Sequence, residues 1–202
     1  MPPYKQFPIG DAQKVAQMFT KSLAEIQGQW GALLGCKLTL SHGPVGKVTW
    51  QEAVSTLRMD VALAKMEAEG DVAGAMHVIL DLRDAITVAA ILTMLPKPQV
   101  QRKRQILGYD ATVEDALGEA CNVMRGAMND VFHGLRQKAP RLKLLSVQAL
   151  DPRDRKSMLE QSDGEYAIMR CTLGVDMYEP TAFYVLVSRA IVEYMLGIRW
   201  GA

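Results

Sequence analysis

The stretch Glu114–Leu135, EDALGEACNVMRGAMNDVFHGL, decides how the chain is read. Leu117, Cys121, Met124, Met128, Val131 and Leu135 alternate at four and three, which predicts one long helix with a single apolar seam wide enough to cover a sheet. Asp115, Glu119, Asn122, Gly126, Asn129 and His133 run two residues out of register with that seam. Two residues are roughly 200° of helical turn, so this polar row is expected to point away from the core. Its composition is unusual for a solvated stripe. Asn is a weak helix former, and Gly costs about 1 kcal/mol relative to Ala in a helix interior, where Lys, Glu or Gln would serve better. Small residues beside a carboxylate and a carboxamide suit the close approach of another backbone.

Outward from this helix the chain reads as two similar halves. Asp11 is placed to cap a first helix whose apolar positions Val15, Met18/Phe19, Leu23, Ile26, Trp30 and Leu33/Leu34 recur at helical spacing and end at Gly35. CKLTLSHG and part of VTWQEAVSTLRMDVALAKM are expected to be strands, AGAMHVILDL a central strand, and RDAITVAAILTMLP a helix stopped at Pro96. In the second half, RLKLLSVQAL and EYAIMRCTLGVDM read as strands separated by the hydrophilic DPRDRKSMLEQSDG, and TAFYVLVSRAIVEYML reads as a closing helix. Glu25 falls opposite Glu119 at an offset of 94, and Asp81 opposite Asp176 at an offset of 95. The expected organisation is a single domain, residues 1–202, of two half-repeats at about 11–96 and 111–198. They are joined by the basic, Pro- and Gly-containing linker 97–110. Strands between helices, one copy against the other, predict an α/β or α+β layered architecture.

Composition narrows the function. A formal net charge of +1 gives no global reason to bind nucleic acid or an anionic membrane. The cations Lys97, Arg102, Lys103 and Arg104 lack interleaved aromatics and read as a solvated linker. No run of 18 apolar residues suggests a membrane span, and the first residues lack the apolar core of a signal peptide, so a cytoplasmic location is expected. Cys36, Cys121 and Cys171 are odd in number and far apart, which fits buried thiols better than disulfides or a zinc knuckle. His42, His77 and His133 are too scattered to predict a metal site, and no phosphate-binding loop or serine-nucleophile motif occurs. Met94, Met124, Met128 and Met195 fall on helix seams and are expected to fill the core.

The segment DALGEACNVMRGAMNDVF resembles the signature of the CheC, CheX and FliY phosphatases of bacterial chemotaxis: Asp or Ser, three residues, Glu, two residues, Asn, and commonly Gly four further on. LDLRDAITVAAILTMLP is similar to a strand–helix unit of the same superfamily, and the duplication matches its pseudo-two-fold architecture. The resemblance implies a mostly antiparallel sheet with long helices packed on it. It also implies an enzyme that hydrolyses the phosphoaspartate of a CheY-type receiver domain, with no cofactor in this chain and with Mg²⁺ on the receiver. Carried over residue by residue, Asn122 would hold the attacking water and Glu119 would pair with the receiver's lysine. Asp115 and Gly126 would be partner contacts, the glycine giving clearance. Gly28, opposite Asn122 in the first half, has no side chain, so one working site per chain is expected. The downstream proline of the signature is matched only by Pro140, nearer than the pattern has it. Likeness to CheX allows a homodimer. A non-catalytic reading also follows from the superfamily, as an interaction module like the middle domain of the flagellar switch protein FliM.

Overall fold

The computed structural model describes residues 4–176 and 178–200, omitting the side chain of Arg155. Helix α1 (Ile9–Leu34) is followed by β1 (Leu38–Thr49), α2 (Trp50–Thr56), β2 (Val61–Glu69), β3 (Gly74–Asp81), α3 (Leu82–Leu92) and α4 (Lys97–Gln105). Then come α5 (Ala111–Leu135), β4 (Arg141–Leu150), α6 (Arg155–Leu159), β5 (Glu165–Val175), β6 (Thr181–Ser188) and α7 (Arg189–Leu196). The strands form one six-stranded sheet in the order β1-β5-β6-β3-β2-β4, antiparallel at every pairing. Exchanging the first three strands for the last three reproduces this order reversed, the symmetry an internal duplication would have.

Alternation along the strands sorts side chains to two cores. Ala62, Ala64 and Met66 of β2 join the large cluster beneath α1, α3 and α5, whereas Val61 and Leu63 join a smaller one under α2 and α6. The fold is the layered α+β arrangement expected, with the long helices on one face of an antiparallel sheet. Among the described residues no helix is long and apolar enough to cross a membrane.

Several local expectations need correction. Asp11 lies inside the first turn of α1, whose N-cap is Pro8 with no side-chain bond, while Gly35 closes the helix at φ 60° as anticipated. TAFYVLVSRAIVEYML is a central strand followed by a short helix, because Phe183, Val185 and Val187 face the large core on alternate positions while Leu186 faces the small one. A run buried on both faces shows no period of two and imitates a helix. The strand that takes β3's place in the other half is therefore β6. Asp81 corresponds to Ser188, the cap position of α7, and not to Asp176, which stands in a left-handed turn after β5. Met94 is 90% exposed beyond the end of α3 and fills no core, while Met124, Met128 and Met195 are buried. Cys121 and Cys171 are buried and Cys36 half-buried, all three free.

The linker read as a loop is largely helix α4, with Pro98 in its first turn and Val100 as its buried anchor. Its basic run is also less free than expected. Lys103 pairs with Asp110 at 2.6 Å, and Arg104 crosses to the first turn of α3, bonding the Arg83 carbonyl, the Thr87 hydroxyl and the Asp84 carboxylate. Tyr178 stacks on the Arg104 guanidinium at 4.8 Å. Burial, and then the neighbouring Asp81, push the Asp84 carboxyl up to about 7 against the opposing pull of Arg104. The fold thus favours the protonated acid. Its destabilising contribution begins where the unfolded chain ionises, near pH 4, grows as pH rises, and levels off above about 7. The thermal-stability advantage of Asp84→Asn over wild type is expected to widen from pH 5 to pH 7 and then hold constant. A difference that does not vary over that window would show that Asp84 does not titrate there.

Candidate functional site

Helix α5 is capped by Asp110, whose carboxylate accepts the Val113 amide at 3.0 Å. Its buried side is broader than the seam foresaw: Val113, Ala116, Leu117, Ala120, Cys121, Met124, Ala127, Met128, Asn129 and Phe132 are all inside. The cause is its neighbours, since α5 packs on α1, on α3 and on the sheet. The indole of Trp30, at the C-terminal end of α1, donates to the Ala120 carbonyl at 2.7 Å and locks the two long helices at the turn that carries Glu119.

The predicted polar row divides. Asp115, Glu119 and His133 are exposed, and Asn122 and Gly126 are half-buried on the flank of the same face. Asn129, expected to point outward with them, is 8% exposed. Its amide brackets the start of β4, accepting from the Leu142 amide at 2.7 Å and donating to the Leu142 carbonyl at 3.1 Å. A buried carboxamide satisfied on both atoms is structural. The α5 hydrogen bonds run to the rest of the chain through Ala120, Arg125 and Asn129 and, among the described residues, none involves the side chain of Glu119 or Asn122. Glu119 and Asn122 stand one turn apart on an unbroken helix, so they project as neighbours.

Gly118 and Gly126 lie one turn on either side of Asn122, and a Cβ at either would meet nothing within 4 Å. Close packing inside the chain does not explain either glycine. They leave Asn122 as the one side chain in a row that spans about two turns. Gly126→Ala is expected to stabilise the fold by about 0.5–1 kcal/mol, the helix-propensity difference, read by urea or thermal denaturation. Loss of stability would mean that Gly126 is held in close packing after all.

The first half has its own version of the strand bracket. Gln27 of α1 accepts the Leu40 amide at 2.7 Å, thirteen residues on, as Asn129 accepts the Leu142 amide. This bridge superposes the halves at an offset of 102, and Val15, Met18, Phe19, Ser22, Ile26 and Trp30 then fall on Leu117, Ala120, Cys121, Met124, Met128 and Phe132, buried in both. The offset of 94 is therefore corrected. Gln17 and Thr20, not Glu25 and Gly28, occupy the positions of Glu119 and Asn122. Thr20 carries a hydroxyl engaged by the Ala16 carbonyl and by His42 Nε2, and Glu25 is held by Gln29 at 2.9 Å.

The remaining titratable groups point elsewhere. His77 lies under the second sheet face, bonded to Ser162 at 2.9 Å. Burial, and then Lys65, depress its pKa to about 3, which keeps it neutral. No group of three or more His, Cys, Asp or Glu residues that could hold a metal is found among the described residues.

No protein-family model matches the chain, and no curated protein sequence matches it. Solved structures do match. The six-stranded antiparallel sheet with its paired long helices is the fold shared by FliY, the FliM middle domain, CheX and CheC-like proteins. FliY from Thermotoga maritima superposes with a TM-score of 0.79 at 14% identity, covering 94% of this chain and 95% of that one. The FliM middle domain from H. pylori gives 0.71 at 7% identity, over 95% and 99%. CheX from Borrelia burgdorferi, solved in complex with CheY, BeF₃ and Mg²⁺, gives 0.52 at 12%, over 85% and 97%.

Proposed function

We propose that this chain is a phosphatase for the phosphoaspartate of a CheY-type receiver domain, working in the cytoplasm where such receivers signal. The observation that carries the reading is the pair Glu119 and Asn122. Glu119 is exposed and Asn122 half-buried, one turn apart, neither side chain is hydrogen-bonded among the described residues, and the amide sits between two glycines that leave room for a partner backbone. Phosphoryl transfer asks a protein mainly for positioning and charge stabilisation. A neutral carboxamide can do the first without adding negative charge beside the phosphoryl group, accepting a hydrogen bond from the attacking water while its N–H donates nearby. The water oxygen attacks phosphorus in line, the bond to the aspartyl oxygen breaks, and inorganic phosphate and a free receiver carboxylate result. The receiver supplies its Mg²⁺ and its lysine. Glu119 pairs with that lysine and sets the register at which Asn122 enters. Asp115, a turn before Glu119 and exposed, extends the contact, and Gly126 provides clearance.

The site lies within one chain, so the chemistry needs no homodimer. One site per chain is proposed, because Thr20 offers a tied hydroxyl where α5 offers an amide that is not hydrogen-bonded among the described residues. Purified protein added to a phosphorylated receiver should hasten phosphate release. Decay at the receiver's own rate would leave the scaffold reading, which the FliM middle-domain likeness supports. Reversing the charge with Glu119→Lys is expected to weaken binding to a beryllofluoride-activated receiver by about tenfold or more, the scale of a partly desolvated charge pair. Unchanged affinity would remove Glu119 from the docking surface.

A further inference from the structure

The sheet face turned away from the long helices is covered at one end only. Along β5, Tyr166 and Ile168 are buried on that face, but the next residues of the row are Arg170 and Thr172. Together with Tyr4, Gln6, Ser41 and Tyr184 they line a cleft of about 580 Å³ in which no carboxylate appears.

Three elements build this cleft: Arg170, Tyr4 and the bulge of β1. Arg170 is exposed, with no acidic partner among the described residues, and it lies directly across from Tyr184 in the β5–β6 register. Tyr4 is brought over β1 by the isolated Lys5–Lys47 bridge. It sits so close to Gly46 that a Cβ there would meet its own Cβ at 2.4 Å, so glycine is what admits the ring. The Tyr4 hydroxyl is buried, near enough to Tyr184, Thr56 and Arg170 for all three to perturb its pKa, which burial first of all lifts to about 12. Finally, β1 breaks register between His42 and Val45, and this bulge forms the rim. Bulges of this kind bend an edge strand and re-aim its side chains.

We propose that this cleft binds a small planar anion, a flat ring carrying a carboxylate or a phosphate, with the charged group on Arg170 and the ring against Tyr4 and Tyr184. A guanidinium without an acidic partner among the described residues, in a lining free of carboxylate, selects an anion. Two aromatic walls select a flat body over a bare ion. The site is separate from Glu119 and Asn122 and stands or falls apart from the phosphatase reading.

Calorimetric titration of the full chain with phenyl phosphate, benzoate, inorganic phosphate and benzyl alcohol tests it. At least one aromatic anion is expected to bind at millimolar concentration or below and more tightly than inorganic phosphate, with benzyl alcohol weakest. Arg170→Gln should weaken the aromatic anion by about tenfold, the scale of a lost charge-assisted hydrogen bond, with the melting temperature unchanged. Tyr184→Leu should weaken it while leaving inorganic phosphate unaffected. Binding that survives Arg170→Gln, benzyl alcohol binding as well as the anions, or no heat from either aromatic anion would overturn the proposal.

Discussion

Asn122→Ala is expected to cut the acceleration of receiver dephosphorylation by about 10²-fold, taking it to or near the receiver's own decay, because the attacking water loses the group that orients it. The fold gives this variant an unusual advantage as a test. Asn122 makes no side-chain hydrogen bond within the chain among the described residues and lies mid-helix, so its removal orphans nothing. Ala is also the better helix former. Stability should therefore equal or exceed wild type, and lost activity cannot be assigned to unfolding. Asn122→Gln sharpens the point: the amide is retained but carried one methylene further, and a displacement of about 1 Å can itself cost about 10²-fold. If Gln restored full activity, chemical identity and not position would be what matters.

The largest effect on stability is expected at Trp30. Its side chain is 1% exposed in the main core, and its indole N–H reaches the Ala120 carbonyl across the α1–α5 contact. Trp30→Ala is expected to cost about 3–5 kcal/mol, which for a domain of this size lowers the melting temperature by roughly 10–15 °C. Trp30→Phe keeps most of the volume and gives up chiefly the hydrogen bond, a loss of about 1 kcal/mol, plus whatever packing the smaller ring forfeits. Because Ala120 stands beside Glu119, the cavity variant should also lower phosphatase activity at temperatures where it remains folded. Full activity in folded Trp30→Ala would show that the α1–α5 contact does not position the site.

The sequence made some elements easier to read than others, and the reasons are local. Helix α5 has an uninterrupted apolar seam, and β4 is bounded by Pro140 before it and Asp151–Pro152 after it, so both announce themselves. Helix α4 hid because its one buried side chain, Val100, sets up no period, although Pro98 near its start is a genuine helix signal. Helix α2 could have been found from Thr49 and Glu52, whose side chains form a reciprocal capping box. The merger of β6 with α7 was a failure of contrast: no Gly or Pro separates them, and the strand is apolar on both faces.

At the site, the spacing of Glu119 and Asn122 was legible because a helix turns spacing directly into adjacency. Asn129 was misread for the same reason. It shares their periodicity, and only the approach of β4 reveals that its amide is spent on Leu142. The true partner positions in α1, Gln17 and Thr20, required the sheet contacts of Gln27 and Asn129 to bring the halves into register. The Arg170 cleft left no trace in the sequence, since its walls come from the N-terminal segment, β1, β5 and β6.

The most direct test follows the decay of one phosphorylated CheY-type receiver with no addition, with wild-type protein and with Asn122→Ala, each protein at a concentration that saturates binding to the beryllofluoride-activated receiver. Fast decay is expected with wild type and near-intrinsic decay with the variant despite equal occupancy. Equal rates with both proteins, whether fast or slow, would contradict the role given to Asn122.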